Sequence, residues 1–308
     1  MNLLITGCCG HIGSYLADNV YKIKKIKKTV LVDNIKSNRF CSLFNLGKNN
    51  NLKFFLRDVN KKNSLKDFRN IDYVIHCASM TNAEKSFGKE KEMYKNNIDC
   101  LKNVIDFCKK NKSKLIHLSS TSVYGKQTDL VDEDCEEKYL KPQSPYADIK
   151  LIEEKMLIKN SNKLRYNTFR FGTIAGVSKG IRFHTAVNKF CLNASINESI
   201  FVYKTALNQY RPYLSLNDAF KVFKFCIEKD FFENEIFNAL SGNYTVNQIL
   251  QKIRKYKKNI KVKLVKSEIM NQLSYHVSSK KLENNGLFLK GNIDNDIKQT
   301  LKLLSNIS

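Results

Sequence analysis

Thr6-Gly7-Cys8-Cys9-Gly10-His11-Ile12-Gly13 decides the fold. It follows the apolar run Leu3 to Ile5 and opens a helical pattern. Glycines at 7, 10 and 13 permit a tight turn, close approach of backbone to a pyrophosphate and close helix packing, with the helix N-terminus facing the anion. A glycine-rich turn alone is weak evidence. Twenty residues past Gly13, however, Leu31-Val32-Asp33-Asn34 ends a second apolar run in a carboxylate placed to accept ribose hydroxyls.

Outward from this turn, short apolar runs alternate with helical patterns. Residues 3–5, 30–32, 54–56, 73–76 and 115–118 read as strands, and 12–24, 91–110 and 144–159 as helices. A parallel sheet with crossover helices requires that alternation, so the predicted class is α/β, a Rossmann-type doubly wound parallel sheet. Beyond residue 175 the order loosens to a helix near 183–195, a strand at 200–203, a helix at 217–229, a strand at 235–239 and a helix at 246–257. The reading is a dinucleotide-binding domain over 1–175 and a smaller C-terminal α/β substrate lobe over 176–308. Three prolines and no Gly/Ser-rich linker predict lobes packed together.

Composition narrows the function. The chain of 308 residues is 42% hydrophobic and 11% aromatic, enough for a core without staples. The formal charge of +24 invites a nucleic-acid reading. Lysine supplies most of that charge and is strewn along nearly every segment, without a finger, knuckle or aromatic RNA-binding signature, so no nucleic-acid partner is expected. Nine cysteines without a Cys-x-x-Cys pair and five histidines without ligand spacing predict neither a disulfide framework nor a metal site. No apolar stretch approaches 18 residues, which predicts no membrane span. A strand from residue 2 with no basic leader ahead of it predicts no secretory signal and a cytoplasmic protein.

The second constellation is Tyr146-Ala147-Asp148-Ile149-Lys150. Positions i and i+4 share a helix face, so an ammonium sits beside a phenol and favours its ionised form. That makes a general base of a side chain whose ordinary pKa is about 10. Tyr and Lys four apart also occur by chance on surfaces. Upstream, Leu118-Ser119-Ser120-Thr121-Ser122-Val123-Tyr124-Gly125 ends a strand in hydroxyls, where a doubly wound sheet keeps its reactive groups.

Taken with Asp58-Val59, Val74-Ile75-His76-Cys77-Ala78, Asn96-Asn97, Pro142 to Lys150 and Arg211-Pro212-Tyr213 to Asp218, these motifs resemble the extended short-chain dehydrogenase/reductases. Within them the chain is similar to the NAD-dependent nucleotide-sugar epimerase/dehydratase family, from residue 1 to about 220. The resemblance implies that Gly7, Gly10, His11, Ile12 and Gly13 grip the NAD pyrophosphate. Asp33 and Asn34 would hold the adenosine ribose, and Asp58 and Val59 would bracket the adenine. It further implies that Ala78, Asn97, Tyr146 and Lys150 line the nicotinamide side, and that Ser120, Tyr146 and Lys150 are catalytic. Arg211 and Asp218 match the segment that meets the nucleotide phosphate, and His184 and Asn188 match more loosely the stretch that contacts the sugar nucleotide. For His184 a satisfied polar group on a helix is an equal reading.

The family's usual Arg-x-x-Asn is here Arg170-Phe171-Gly172-Thr173, which puts Thr173 among the substrate contacts. The expected activity is NAD-dependent epimerisation of a nucleotide sugar at C4 through a 4-keto intermediate. A nucleotide-sugar 4-dehydrogenase or reductase uses the same residues, and a non-catalytic NAD-sensing protein of this fold is the alternative from another class. Asp33 repels a 2′-phosphate and so favours NAD over NADP, although Lys36 and Arg39 stand nearby in sequence. Relatives pair through a four-helix interface, which implies a homodimer built on 91–110 and 144–159.

Overall fold

The computed structural model describes residues 1–46, 51–81, 87–127, 130–266 and 275–305. In its first half, β1 (Asn2–Thr6), α1 (His11–Asn19), β2 (Lys28–Asp33), β3 (Leu52–Leu56) and β4 (Tyr73–His76) are followed by α2 (Glu90–Asn111), β5 (Lys114–Ser120), β6 (Leu130–Val131), α3 (Pro145–Ile158) and β7 (Tyr166–Phe171). Then come β8 (Thr173–Ala175), α4 (Ala186–Ser195), β9 (Ile200–Tyr203), β10 (Tyr210–Ser215), α5 (Leu216–Lys229) and β11 (Ile236–Ala239). The remainder is β12 (Gly242–Thr245), α6 (Val246–Arg254), β13 (Val262–Val265), β14 (His276–Val277), α7 (Lys280–Asn284) and α8 (Ile293–Leu303).

Seven strands form one parallel sheet in the order β11-β7-β5-β4-β1-β2-β3. Both faces are covered, so its central strands are buried throughout: every residue of β4 and of β7 is buried. Alternation sorts β1 between two cores. Leu3 and Ile5 pack with α1 and α5, and Leu4 packs with α2. The strand order reverses between β1 and β4, and the crevice beyond the carboxyl ends of such strands is where doubly wound sheets bind ligands. There Thr6 Oγ1 and His76 Nδ1 lie 2.7 Å apart and tie the two strand ends together.

The strand at 236–239, drawn from the second half of the chain, joins this sheet beside β7. The stretch beyond residue 175 therefore returns α5 and β11 to the dinucleotide-binding half in the middle of building its own layers. Those layers are a three-stranded sheet, β12-β10-β8, a parallel pair β9-β13 and a cluster in which α4, α6 and α8 meet through Cys191, Ile249 and Ile297. The helix expected to run to residue 24 stops at Asn19. A 3-10 turn over 20–22 replaces its end and sets Val20 and Ile23, three apart, into one core.

Candidate active site

At the strand-order reversal, the glycine turn is shaped by close backbone approach. Gly7 has φ +69°, and a Cβ there would meet the Ala78 amide at 2.5 Å. A Cβ on Gly13 would fall 2.3 Å from the Gly7 carbonyl oxygen. Gly10 starts α1, and no side chain caps the helix and its first turn carries no acid, so its first N–H groups and positive dipole end are left for an anion. His11 lies just inside. Burial pushes its pKa down to about 3, its Nε2 is 2.8 Å from the Gly176 carbonyl, and its Nδ1 has no hydrogen-bond partner among the described residues.

Asp33 closes β2 with little exposure. Its carboxylate accepts from the Cys9 amide at 2.9 Å and from the Ile35 amide at 2.7 Å, which fixes it against the glycine turn. Next to it Asn34 Nδ2 and Lys36 Nζ both reach Asp58, at 3.2 and 2.7 Å. Burial works against the Asp58 carboxylate, but those two donors hold its pKa below the ordinary value.

A cavity of about 560 Å³ joins the glycine turn to the ends of β5 and α3. Among the residues singled out in the sequence, Gly7, Gly10, His11, Ile12, Gly13, Ser120, Tyr146, Lys150, Thr173, His184 and Arg211 line it. Asp33, Asn34, Asp58, Val59, Ala78, Asn97, Asn188 and Asp218 do not. Asn97 instead braces the loop after β4, accepting from the Met80 amide at 2.8 Å and donating to its carbonyl at 3.0 Å. Asn188 donates to the Arg182 carbonyl at 3.1 Å, and Asp218 accepts from Ser241 and from the Gly291 amide. These are supports of the walls.

Inside the cavity, Ser120 Oγ accepts from Ser122 Oγ at 2.9 Å. Lys150 Nζ stands 5.7 Å from the centroid of the Tyr146 ring, so helix periodicity delivers the expected ammonium beside the phenol. Ser144 caps α3 with its side chain and Pro145 supplies the first helical residue, which starts the helix one residue ahead of Tyr146. The helix is then clamped to the sheet. Glu154 takes a two-pronged bond from Arg170, 3.0 Å from Nε and 2.8 Å from Nη2, and a further bond from Ser119.

Sequence reasoning missed several lining groups. Arg182, reaching across to Thr81 Oγ1, joins Arg39, Lys189 and Arg211 to make the lining strongly cationic. Burial pushes the Arg182 guanidinium down to about 10. It lies in a loop without periodicity, and only the surplus of positive charge hinted at it. Glu153 and His117, buried behind Lys150, were also missed; Glu153 was signalled by its place seven residues after Tyr146 on one helix face.

The sequence profile of the NAD dependent epimerase/dehydratase family matches residues 3–239. The chain belongs to that family. Its members are enzymes that act on nucleotide sugars, and the cofactor of this family member is NAD. The glycine cradle that any Cβ would fill, the open start of α1 and the fixed Asp33 fit that cofactor. A trifunctional UDP-glucose 4,6-dehydratase/UDP-4-keto-6-deoxy-D-glucose 3,5-epimerase/UDP-4-keto-L-rhamnose-reductase of Arabidopsis thaliana is 26% identical over 97% of this chain and 46% of its own. The chain thus spans about half the length of the first curated relatives it matches.

Two solved structures share the fold. UDP-N-acetylglucosamine 4-epimerase from Methanobrevibacter ruminantium, in complex with UDP-N-acetylmuramic acid, superposes with a TM-score of 0.86 at 24% identity, covering 98% of this chain and 97% of that one. UDP-glucuronic acid 4-epimerase from Bacillus cereus, in complex with UDP-glucuronic acid and NAD, gives 0.85 at 21% identity over 99% of both. Among the described residues, no helix of this family member is long and apolar enough to cross a membrane.

Proposed function

We propose that the chain is an NAD-dependent nucleotide-sugar epimerase acting at C4 of the sugar. The observation that carries this reading is the meeting of Ser120, Tyr146 and Lys150 with the glycine turn in one cavity. NAD bound at the turn supplies reversible hydride acceptance. Tyr146 takes the proton of the C4 hydroxyl and later returns it, with the Lys150 charge stabilising the phenolate. Ser120 hydrogen-bonds the same oxygen and orients it. Arg39, Arg182, Lys189 and Arg211 supply the charge that holds the diphosphates of cofactor and substrate.

The residues after Ser120 favour epimerisation over elimination or decarboxylation. Thr121 and Ser122 are neutral hydroxyls, and Ser122 is engaged with Ser120. Such groups cannot serve as acid and base near neutral pH, so loss of water or carbon dioxide has no proton carrier there. The test is incubation of the enzyme with a panel of nucleotide sugars, followed by mass and stereochemical analysis. An unchanged mass with a new stereoisomer supports the reading. A loss of two hydrogens with accumulating NADH moves the assignment to a dehydrogenase, and a loss of 18 or 44 mass units, the masses of water and carbon dioxide, overturns it. We also infer a homodimer through α2 and α3, supported by the exposed Tyr94 and Ile158 on those helices.

A further inference from the structure

Tyr146, Lys150 and Glu153 fall at i, i+4 and i+7, one stripe along α3. The first two face the cavity and the third is buried beneath them. Glu153 Oε2 lies 2.6 Å from Lys150 Nζ and 3.0 Å from His117 Nε2, while His117 Nδ1 is 3.3 Å from Thr168 Oγ1. A chain of contacts thus runs from the β7 strand through β5 to the ammonium beside the phenol.

Among the described residues, the groups around Lys150 leave Glu153 as the one carboxylate free to answer it. From α3 come Tyr146, Glu153 and Glu154; from β5, His117; from the end of β4, His76 and Cys77; and from α2, Cys100. Burial pushes both imidazoles down and both thiols up. Glu154 is committed to Arg170 through both its oxygens. Arg182 is a further cation within electrostatic reach of Tyr146.

Resting on the reading of Tyr146 as the proton carrier, we propose that Glu153 is a positioning residue that sets the pH at which Tyr146 ionises. It does so in two ways. It anchors the Lys150 ammonium from behind, and its negative charge offsets part of the stabilisation which that ammonium gives the phenolate. His117, donating its Nε2 proton to Glu153, joins Lys150 in holding the carboxylate charged and keeps it facing Lys150.

The sign follows directly. With Lys150 still protonated, held so by the phenolate that forms beside it, removing the Glu153 charge leaves the ammonium uncompensated, favours the phenolate, and moves Tyr146 ionisation to lower pH. Seven helical residues separate the two groups by about 10 Å, so the shift is roughly one pH unit at an effective dielectric near 20. A residue that merely supports the fold would change stability and leave this titration where it was.

The test is 13C-tyrosine NMR of the NAD-bound protein, with the Tyr146 ring signal assigned by its disappearance in Tyr146→Phe. The Tyr146 titration is expected about one pH unit lower in Glu153→Gln than in the wild type, with Glu153→Asp close to the wild type. Should the Gln side chain, whose amide must face other donors, prevent folding, Glu153→Met removes the charge at similar volume and carries the same expectation. A titration in a folded charge-free variant that coincides with the wild type, or that moves to higher pH, overturns the proposal. This readout needs no turnover, so it is separable from the proposed activity: a Tyr146 signal that shifts in a protein inert toward every nucleotide sugar upholds the Glu153 role and sinks the epimerase. With an active enzyme, the acid limb of kcat moves down by the same unit, about a tenfold gain well below the wild-type limb.

Discussion

One phenolic oxygen divides binding from chemistry in this cavity. Tyr146→Phe keeps a ring that packs with Met93, Ile98 and Ile149, so the variant is expected to fold and to bind NAD. Its turnover is expected to fall roughly 10²–10⁴-fold, the range for losing a general acid–base group, as measured on the nucleotide sugar that the wild type converts. Near-normal turnover would remove Tyr146 from the mechanism. Asp33 carries a second expectation at this scale. Its carboxylate is fixed by two backbone amides and repels a 2′-phosphate, and the nearby Lys36 is already engaged by Asp58. Titration of the apo-protein is therefore expected to show NAD binding at least tenfold tighter than NADP, and tighter NADP binding would overturn the Asp33 argument. The glycine turn, Asp33 and the Tyr146–Lys150 pair were legible because each rests on a local spacing. Arg182 and His117 were not, since their meaning comes from partners that only the tertiary fold brings near, whereas Glu153, three residues after Lys150 on one helix, had a local signal that went unread.

Elements transmit strain to the site. At the start of α1, a Gly13→Ala methyl would collide with the Gly7 carbonyl, which is backbone and cannot swing aside. Displacing that turn costs roughly 1–3 kcal/mol, so NAD affinity is expected to fall about ten- to a hundredfold in a protein with unchanged circular dichroism. At the other end of the chain, α8 places Asp296 against Ser215, with one carboxyl oxygen unpartnered among the described residues. Burial raises its pKa to about 7. A raised carboxyl contributes its stability below its unfolded value near 4 and loses it as pH climbs through about 7. Asp296→Asn is thus expected to stabilise the fold by roughly 1–3 kcal/mol at pH 8 and to lose that advantage near pH 4, read by denaturant melts at both values. The α8 signal was present in Asn292, whose side chain caps Asp294, and in the buried Ile293, Ile297 and Thr300. By contrast β8 and β12 carry three and four residues with no alternation, too little for a periodicity to register.

At the scale of the whole molecule, charge and shape compete. β1 to β5 of the large sheet were legible as short apolar runs, whereas β7 was not, because Asn167, Thr168 and Arg170 interrupt its apolar residues although every one of them is buried. The return of β11 to that sheet was not, because adjacency in a sheet is a long-range fact that no local pattern encodes. The same long-range balance governs assembly. Each chain carries +24, so two copies repel, and the repulsion is screened as salt rises. Pairing through α2 and α3 must offset it with apolar area. Tyr94 on α2 and Ile158 on α3 are about half exposed, and Ile152 and Met156 on α3 are partly buried. A stable dimer buries about 1,200–2,000 Å² in total, so these side chains supply only part of the patch. Light scattering at micromolar concentration is expected to report two chains of 35.6 kDa, with the dimer fraction rising between low and high salt. Replacing Tyr94 and Ile158 by lysine adds charge and removes apolar area, and is expected to yield a monomer that still binds NAD. A wild-type monomer at every salt concentration would leave these helices as covers of the sheet alone. Retention on DNA that fades with salt would instead assign the positive surplus to a polyanionic partner.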